Sequence, residues 1–440
     1  MGRKNKLDRK HAVKKVISTL TLFVLLLGTI GQLTGAGETT PLVNIGLAFN
    51  QSEIILSLTG SETILDLGSS PARTLFIPGD QEIISCMENV LYVNDLPVGT
   101  GPLLVIPATN FLTWSSRNYR GMFLIKALNG KPILINRLEL EEYLKGVIPR
   151  EVLPDWPAAA LKAQAIAART YTCASLKRHQ DDGFDLCATD HCQVYGGASA
   201  EQPSTNQAVM ETAGQVLTYK GKIIGAFYHA AAGGCTEDVA NVWNSTAPYL
   251  KAVVDWDQNS PYTRWTRIFT WPELQGLVTG TYPGIGRLKQ LLPTSFEKDG
   301  RVSRLVLKGD LGEVSLTGAQ FRSLTGVPGP NMQFVLIYGP EPFITLSWVG
   351  RNLYPEVITP SDIPGITAEI LDPPWDEPDP WAWLADKDPV KLVIRGSGWG
   401  HGVGLSQWGA KGMADFGYNE RQILAHYYPG TVIMDINKLK

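Results

Sequence analysis

The stretch Gly396–Ala410 reads GSGWGHGVGLSQWGA, with glycine at every second position from Gly396 to Gly404. Glycine inside a strand is entropically costly and packs nothing, so its repetition calls for a reason. One reason is close approach, which lets another backbone or a ligand lie flat against the chain. A two-residue period would place Ser397, Trp399, His401 and Val403 on one face. Indole, imidazole and hydroxyl there would suit a sugar-binding surface. The alternative is a tight glycine-rich loop in a β domain. No Lys-Ser or Lys-Thr follows the glycines, which sets a phosphate-binding loop aside.

Downstream, the pattern predicts a helix over Ser406–Phe416 and a short one around Glu420–Tyr428. Upstream, Thr359–Lys387 is rich in Pro, Asp and Trp and reads as a surface excursion. Within Val253–Thr359, Arg301–Leu307 and Gly312–Leu316 resemble a hairpin, and strands are expected at Gln215–Tyr219 and Lys222–His229. Leu140, Tyr143, Leu144 and Val147 share a helical face. Pro149 and Pro154 bracket a break at Arg150–Leu153. A second helix starts near Trp156, with Asp155 as cap and Pro157 in the first turn. Its body, AAALKAQAIAARTYTCASLKR, is alanine-rich, which favours helix and close packing. Val43–Leu140 reads as short strands with Gly and Pro breaks: Ile54–Leu58, Leu103–Ile106, Met122–Ile125 and Pro132–Ile135. The fold expected is α+β, a mixed β-rich domain with an alanine-rich helix.

Net charge is -3 over 440 residues and charged residues are 18%, so nucleic acid is excluded as a partner. The N-terminus carries Arg3, Lys4, Lys6, Arg9, Lys10, Lys14 and Lys15, then an uncharged run from Val16 to Gly37. That reads as a signal peptide or an N-terminal membrane anchor (residues 1–37), and it places the rest of the chain outside the cytoplasm, tethered or secreted. Five cysteines cannot all pair within one exported chain. Cys187 and Cys192 are close, with His191 adjacent. The further divisions expected are a β-rich part at 38–137, a helical core with the Cys/His loop at 138–252, a mixed insertion at 253–390, and the glycine-rich loop with its helices at 391–440.

Three runs carry a family resemblance: YLKGVIPREVLPDWPAAALKAQAIAARTY (Tyr143–Tyr171), FYHAAAGGCTEDVANVW (Phe227–Trp243) and GSGWGHGVGLSQWGAKGMA (Gly396–Ala414). In this order they resemble the SpoIID/LytB family, which includes stage II sporulation protein D and the amidase enhancers. The resemblance implies a groove for extended glycan and peptidoglycan lytic transglycosylation, with 1,6-anhydro-MurNAc formed on peptide-stripped strands. It matches Glu151 to the catalytic acid/base, its pKa raised by apolar Val152, Leu153 and Trp156. One carboxyl suffices when the sugar's own 6-hydroxyl is the nucleophile. Arg169 would hold Glu151 or a lactyl carboxylate, or make a structural ion pair. Tyr171, Tyr228, Gly233, Gly234, Trp399, His401, Ser406 and Gln407 are the other groove candidates, and Trp408 a possible stacking indole. Ala230-Ala231-Ala232 stands where relatives more often carry a serine. The resemblance also implies a structural zinc on His179, Cys187, His191 and Cys192, against a Cys187–Cys192 disulfide, and no organic cofactor. Peptidoglycan strands and a cell-wall amidase are the implied partners. The alternative is a non-catalytic, peptidoglycan-binding amidase enhancer.

Overall fold

The computed structural model describes residues 41–58, 62–69, 71–75, 81–243, 245–296, 302–329, 331–338, 344–349, 352–357 and 388–439. The basic, apolar N-terminal segment and the Pro/Trp-rich excursion lie outside them, and no helix among the described residues is long and apolar enough to cross a membrane. The architecture is α+β.

Two antiparallel-rich sheets open the described chain. One runs in the order Leu186–Cys187, Leu42–Ala48, Lys131–Glu139, Met122–Leu128, Leu103–Ile106, Thr63–Asp66, Arg73–Leu75. The other runs Arg117–Tyr119, Leu112–Trp114, Glu53–Ser57, Gln81–Met87, Val90–Val93, Leu96–Gly99. Alternation does the work in Glu53–Ser57, where Ile54 and Leu56 are buried and Glu53, Ile55 and Ser57 exposed. Ile54, Leu56, Val105, Phe123 and Leu134 build the first core.

Helix α1 spans Leu140–Glu151. It runs through Pro149 rather than ending before it, so Glu151 is its last residue and not part of a loop. Helix α2 spans Ala158–Ala174. Pro157, not Asp155, occupies its N-cap position, with no side-chain cap; the Pro157 carbonyl accepts from Ala160 and Leu161. The alanines let α2 serve two cores. Leu161, Ala165 and Ala168 face the sheets, while Ala163, Ile166 and Ala167 face the C-terminal elements. Helices α3 (Pro203–Glu211) and α4 (Val239–Trp243) follow.

A second lobe has its own core around Leu291, Leu305, Phe321, Phe334 and Ile394. Its five-stranded sheet runs Trp265–Thr270, Lys391–Ser397, Asn331–Tyr338, Ile344–Val349, Asn352–Val357. Lys391–Ser397, grouped by sequence with the C-terminal helices, is therefore an inner strand of this sheet. The expected hairpin is present as Val302–Gly309 against Glu313–Thr317. Helices α5 (Trp271–Thr281) and α6 (Gly318–Thr325) each start with a capping box, Thr270/Glu273 and Thr317/Gln320. The chain ends with α7 (Gln407–Asp415), α8 (Glu420–Tyr427) and the strand Val432–Asp435, which pairs with Gln215–Tyr219.

Beyond Ser397 the glycine-rich stretch is not an extended strand. Gly398, Gly400, Gly402 and Gly404 have φ of 81, 110, 82 and 75°. Every second residue is thus left-handed, which glycine alone adopts cheaply. A Cβ at Gly404 would sit 2.1 Å from the Phe227 carbonyl, and one at Gly400 2.8 Å from His229 Cβ. The close partner is a backbone: Ala231 bridges Trp399, and Tyr228–His229 pairs in parallel with Leu405–Ser406. Both reasons for glycine, turn geometry and close approach, act together here. The single face of Ser397, Trp399, His401 and Val403 does not form.

Candidate active site

The Tyr228–His229 strand, the end of α1, the Cys/His loop and His401 enclose a cleft of about 640 Å3. Glu151, Tyr171, Tyr228, His229, Trp243 and His401 line it.

Glu151 is half-buried at the C-terminal end of α1. Oε1 accepts from the Val194 N–H at 3.0 Å and Oε2 from Gln407 Nε2 at 3.2 Å. Burial pushes its pKa up; the Val194 N–H, the Gln407 amide and the Tyr228 hydroxyl pull the other way. A helix C-terminus also disfavours an anion. The apolar wall is Val152 and Trp156, both buried, with Trp156 edge-on to Trp408 at 5.0 Å. Leu153 is 53% exposed and contributes no desolvation. Trp408 is thus a neighbour of Trp156, packed against the first core.

Arg169 lies elsewhere. It is 0% exposed, ion-paired to Glu141 through Nε and Nη2 at 2.8 and 2.7 Å, and bonded to the Val209 and Gln215 carbonyls. Sitting about three turns along an alanine-rich helix that is buried on all sides from Ala163 to Thr172, it reaches neither Glu151 nor the cleft; its role is the structural ion pair. Tyr171 does line the cleft, and its hydroxyl accepts from Arg178 at 3.0 Å.

Gly233 and Gly234 do not line it. Their N–H groups donate to the two oxygens of Asp257, at 2.6 and 3.0 Å, so neither is free for a sugar. Ser406 is the buried N-cap of α7, accepting from Gly409 N–H. Gln407 is buried and acts through Glu151. Trp399 packs on Tyr262 at 5.0 Å, outside the cleft lining. The indole in the cleft is Trp243, 42% exposed and 5.0 Å from the His401 ring. The motif at Phe227–Trp243 contained it, but nothing in its spacing set it above the other tryptophans.

His229 was not read from the sequence either. Its Nδ1–H donates to the Val403 carbonyl at 3.2 Å, which leaves Nε2 a buried acceptor without a partner among the described residues. Burial, with Arg322 nearby, pushes its pKa down to about 4. His401 accepts the Val403 N–H at Nδ1, and burial, His229 and Arg322 push it down to about 3. Both rings are neutral across the physiological range. The only other carboxylate lining the cleft among the described residues is Asp190, exposed at its rim.

The four predicted ligands converge. One donor atom from each of His179, Cys187, His191 and Cys192 lies within 4.8 Å of all the others. His179 Nε2 is 3.3 Å from His191 Nδ1, and the thiol-to-imidazole separations are 3.5–3.7 Å. A tetrahedral ion with nitrogen at about 2.0 Å and thiolate at about 2.3 Å spaces its ligands roughly 3.3–3.8 Å apart. Adjacent His191 and Cys192 manage this because His191 turns Nδ1 inward. His179 Nδ1 bonds Asp182 at 2.7 Å, an outer carboxylate of the kind that fixes a ligating imidazole. Both cysteines are free thiols. Cys187 is anchored on the parallel pairing of Leu186–Cys187 with Ile45–Gly46. Two residues after Cys192 comes the Val194 N–H that holds Glu151, so this cluster fixes one wall of the cleft.

Comparison with known proteins places these parts together. Residues 129–219, which include Glu151, α2 and all four donors, match the family model described as stage II sporulation protein, SpoIID. The amidase enhancer of Bacillus subtilis is 32% identical over 66% of this chain, which spans 40% of that relative's length. Stage II sporulation protein D of the same organism is 28% identical over 68% of this chain and 76% of its own. An uncharacterized protein of Brachyspira hyodysenteriae is 27% identical over 89% of this chain and 95% of its own. The segment that carries the cleft's carboxyl and its metal-type cluster, residues 129–219, is thus the part of the chain that matches the SpoIID family.

Proposed function

We propose that this chain acts at the cell wall outside the cytoplasm, as a lytic transglycosylase on peptidoglycan glycan strands. The supporting observation is Glu151: one carboxyl, pushed up by burial, held between a fixed N–H and an amide in an open cleft. Protonated, it donates to the glycosidic oxygen between MurNAc and GlcNAc. The 6-hydroxyl of the same MurNAc attacks C1, and the Glu151 carboxylate takes the hydroxyl proton, leaving a 1,6-anhydro end and a restored acid. Trp243 offers a stacking face for a sugar ring, and His229 Nε2 an acceptor for a sugar hydroxyl. The four-donor cluster would hold a structural zinc. A closed set of two thiolates and two imidazoles leaves no position for substrate, so the ion would stiffen the loop that carries Val194. A cell-wall amidase that strips stem peptides is the natural partner.

Asp190 favours a second reading. An inverting hydrolase needs a second carboxylate to activate water, and Asp190 is the one available. The test is mass spectrometry of products from peptide-free strands, using the full chain and its Glu151→Gln and Asp190→Asn variants. Anhydro ends that vanish with Glu151→Gln and persist with Asp190→Asn are the expected result. Reducing ends lost in both variants would make it a hydrolase. Binding without cleavage would leave the amidase-enhancing role, the activity named for one relative.

A further inference from the structure

The cleft does not end at His401. A second cavity of about 500 Å3 shares Trp243 and His401 with it as a common wall and runs onto the second lobe, along α6. Its lining is otherwise neutral, with Thr281, Tyr282, Gln320 and Ser323 as polar groups and Arg322 as the one permanently charged side chain among the described residues. Arg322 is half-buried. Its Nε donates to the Pro328 carbonyl at 3.0 Å, and it forms no ion pair among the described residues. A desolvated guanidinium without an anion is unfavourable, and burial accordingly lowers its pKa. Its place in the last turn of α6 offsets only part of that. By contrast Arg178, on the Glu151 side, already spends its guanidinium on Tyr171 and His191.

We infer that Arg322 is a carboxylate receptor in an extension of the glycan-binding cleft, reading an acidic group carried by the strand beyond the bond that Glu151 cuts. The inference rests on the glycan reading above and adds a specificity determinant to it. The two Nη nitrogens remain to form charge-assisted bonds with a carboxylate. That carboxylate has two possible sources on a glycan strand: the lactyl group of a muramic acid, free once its peptide is removed, or an acidic residue of an attached peptide.

The test is binding, measured in the Glu151→Gln full chain so that no strand is cut, with and without Arg322→Ala. Four probes are used: peptide-free strands, the same strands with lactyl carboxyls amidated, peptide-bearing strands, and neutral chitin oligosaccharides. Arg322→Ala is expected to weaken binding of the peptide-free strands about tenfold or more. The amidated strands and the neutral oligosaccharides should lose nothing. Arg322→Lys should recover part of the loss. A loss confined to peptide-bearing strands keeps the receptor and moves its carboxylate to the peptide. An equal loss on all four probes, or none on any acidic strand, overturns the inference. Wild-type cleavage of peptide-free strands alongside unchanged binding by Arg322→Ala would sink this inference alone. Absence of both binding and cleavage in the wild type would sink the glycan reading with it.

Discussion

Two regions of this molecule treat charge in opposite ways. Inside the first lobe, Arg169 is fully buried and every direction of its guanidinium is answered, by Glu141 and by backbone carbonyls. Around the cleft, Glu151 is desolvated yet open, and among the described residues His229 keeps an unpaired acceptor and Arg322 has no anion. The first region completes its own electrostatics and so contributes to the fold. The second is left incomplete, and only a bound partner would finish it. Desolvated, unfinished polar groups gathered along one surface are what a binding site costs a fold.

The contrast can be broken by mutation. Its largest expected effect is at Arg169→Met, which leaves Glu141 without its partner and should cost about 3–5 kcal/mol in urea unfolding; a cost below 1 kcal/mol would undo the contrast. Next comes the cluster. Metal-loaded protein exposed to a chelator is expected to lose thermal stability and glycan cleavage together, since the Val194 wall loosens. Retention of both, with no zinc found by elemental analysis, would remove the ion from the account. Gln407→Leu deletes a donor to the Glu151 carboxylate, so the carboxyl should titrate higher and the alkaline limb of the pH–rate profile move up; a downward move would contradict the acid role.

Glu151→Gln sharpens the comparison through stability. The folded chain raises the Glu151 pKa, so the proton is held more tightly folded than unfolded. The carboxyl favours folding below its unfolded pKa, and that contribution is lost as pH rises through the folded pKa. The Gln variant should therefore melt higher than wild type at pH 8, with the difference shrinking at pH 4. The smallest effect is expected at Arg322→Met, within about 0.5 kcal/mol of wild type. Loss comparable to Arg169→Met would mean that Arg322 is structural after all.

What was legible in the sequence divides along similar lines. The β-rich start and the alanine-rich helix could be read because periodicity is local, whereas the grouping of His179, Cys187, His191 and Cys192, which do converge, came from the family resemblance. Pro149 misled, since a proline in the last turn of α1 ends no helix when the following residues still close it. Gly398–Gly404 misled only in its strand reading: alternate glycines resemble a strand period, but here they mark alternate left-handed residues, as the glycine-rich-loop alternative allowed. Arg169, Trp399 and Trp243 could not be sorted by type, because burial against α3 or exposure in the cleft depends on chain segments far apart. His229 gave no signal, because its unpaired nitrogen exists only through Val403.

The alternating glycine run also has a consequence for how the molecule is assembled. It stitches residues 227–237 to 399–406, across the whole second lobe, and Gln407 reaches Glu151 over 256 positions. Contacts so distant along the chain are entropically late, forming after the local pieces have closed. During synthesis Glu151 emerges long before the residues that hold it. The site is therefore among the last features to mature, and a chain interrupted within the second lobe would carry the acid and Val194 but not Gln407, the amide that holds its other oxygen.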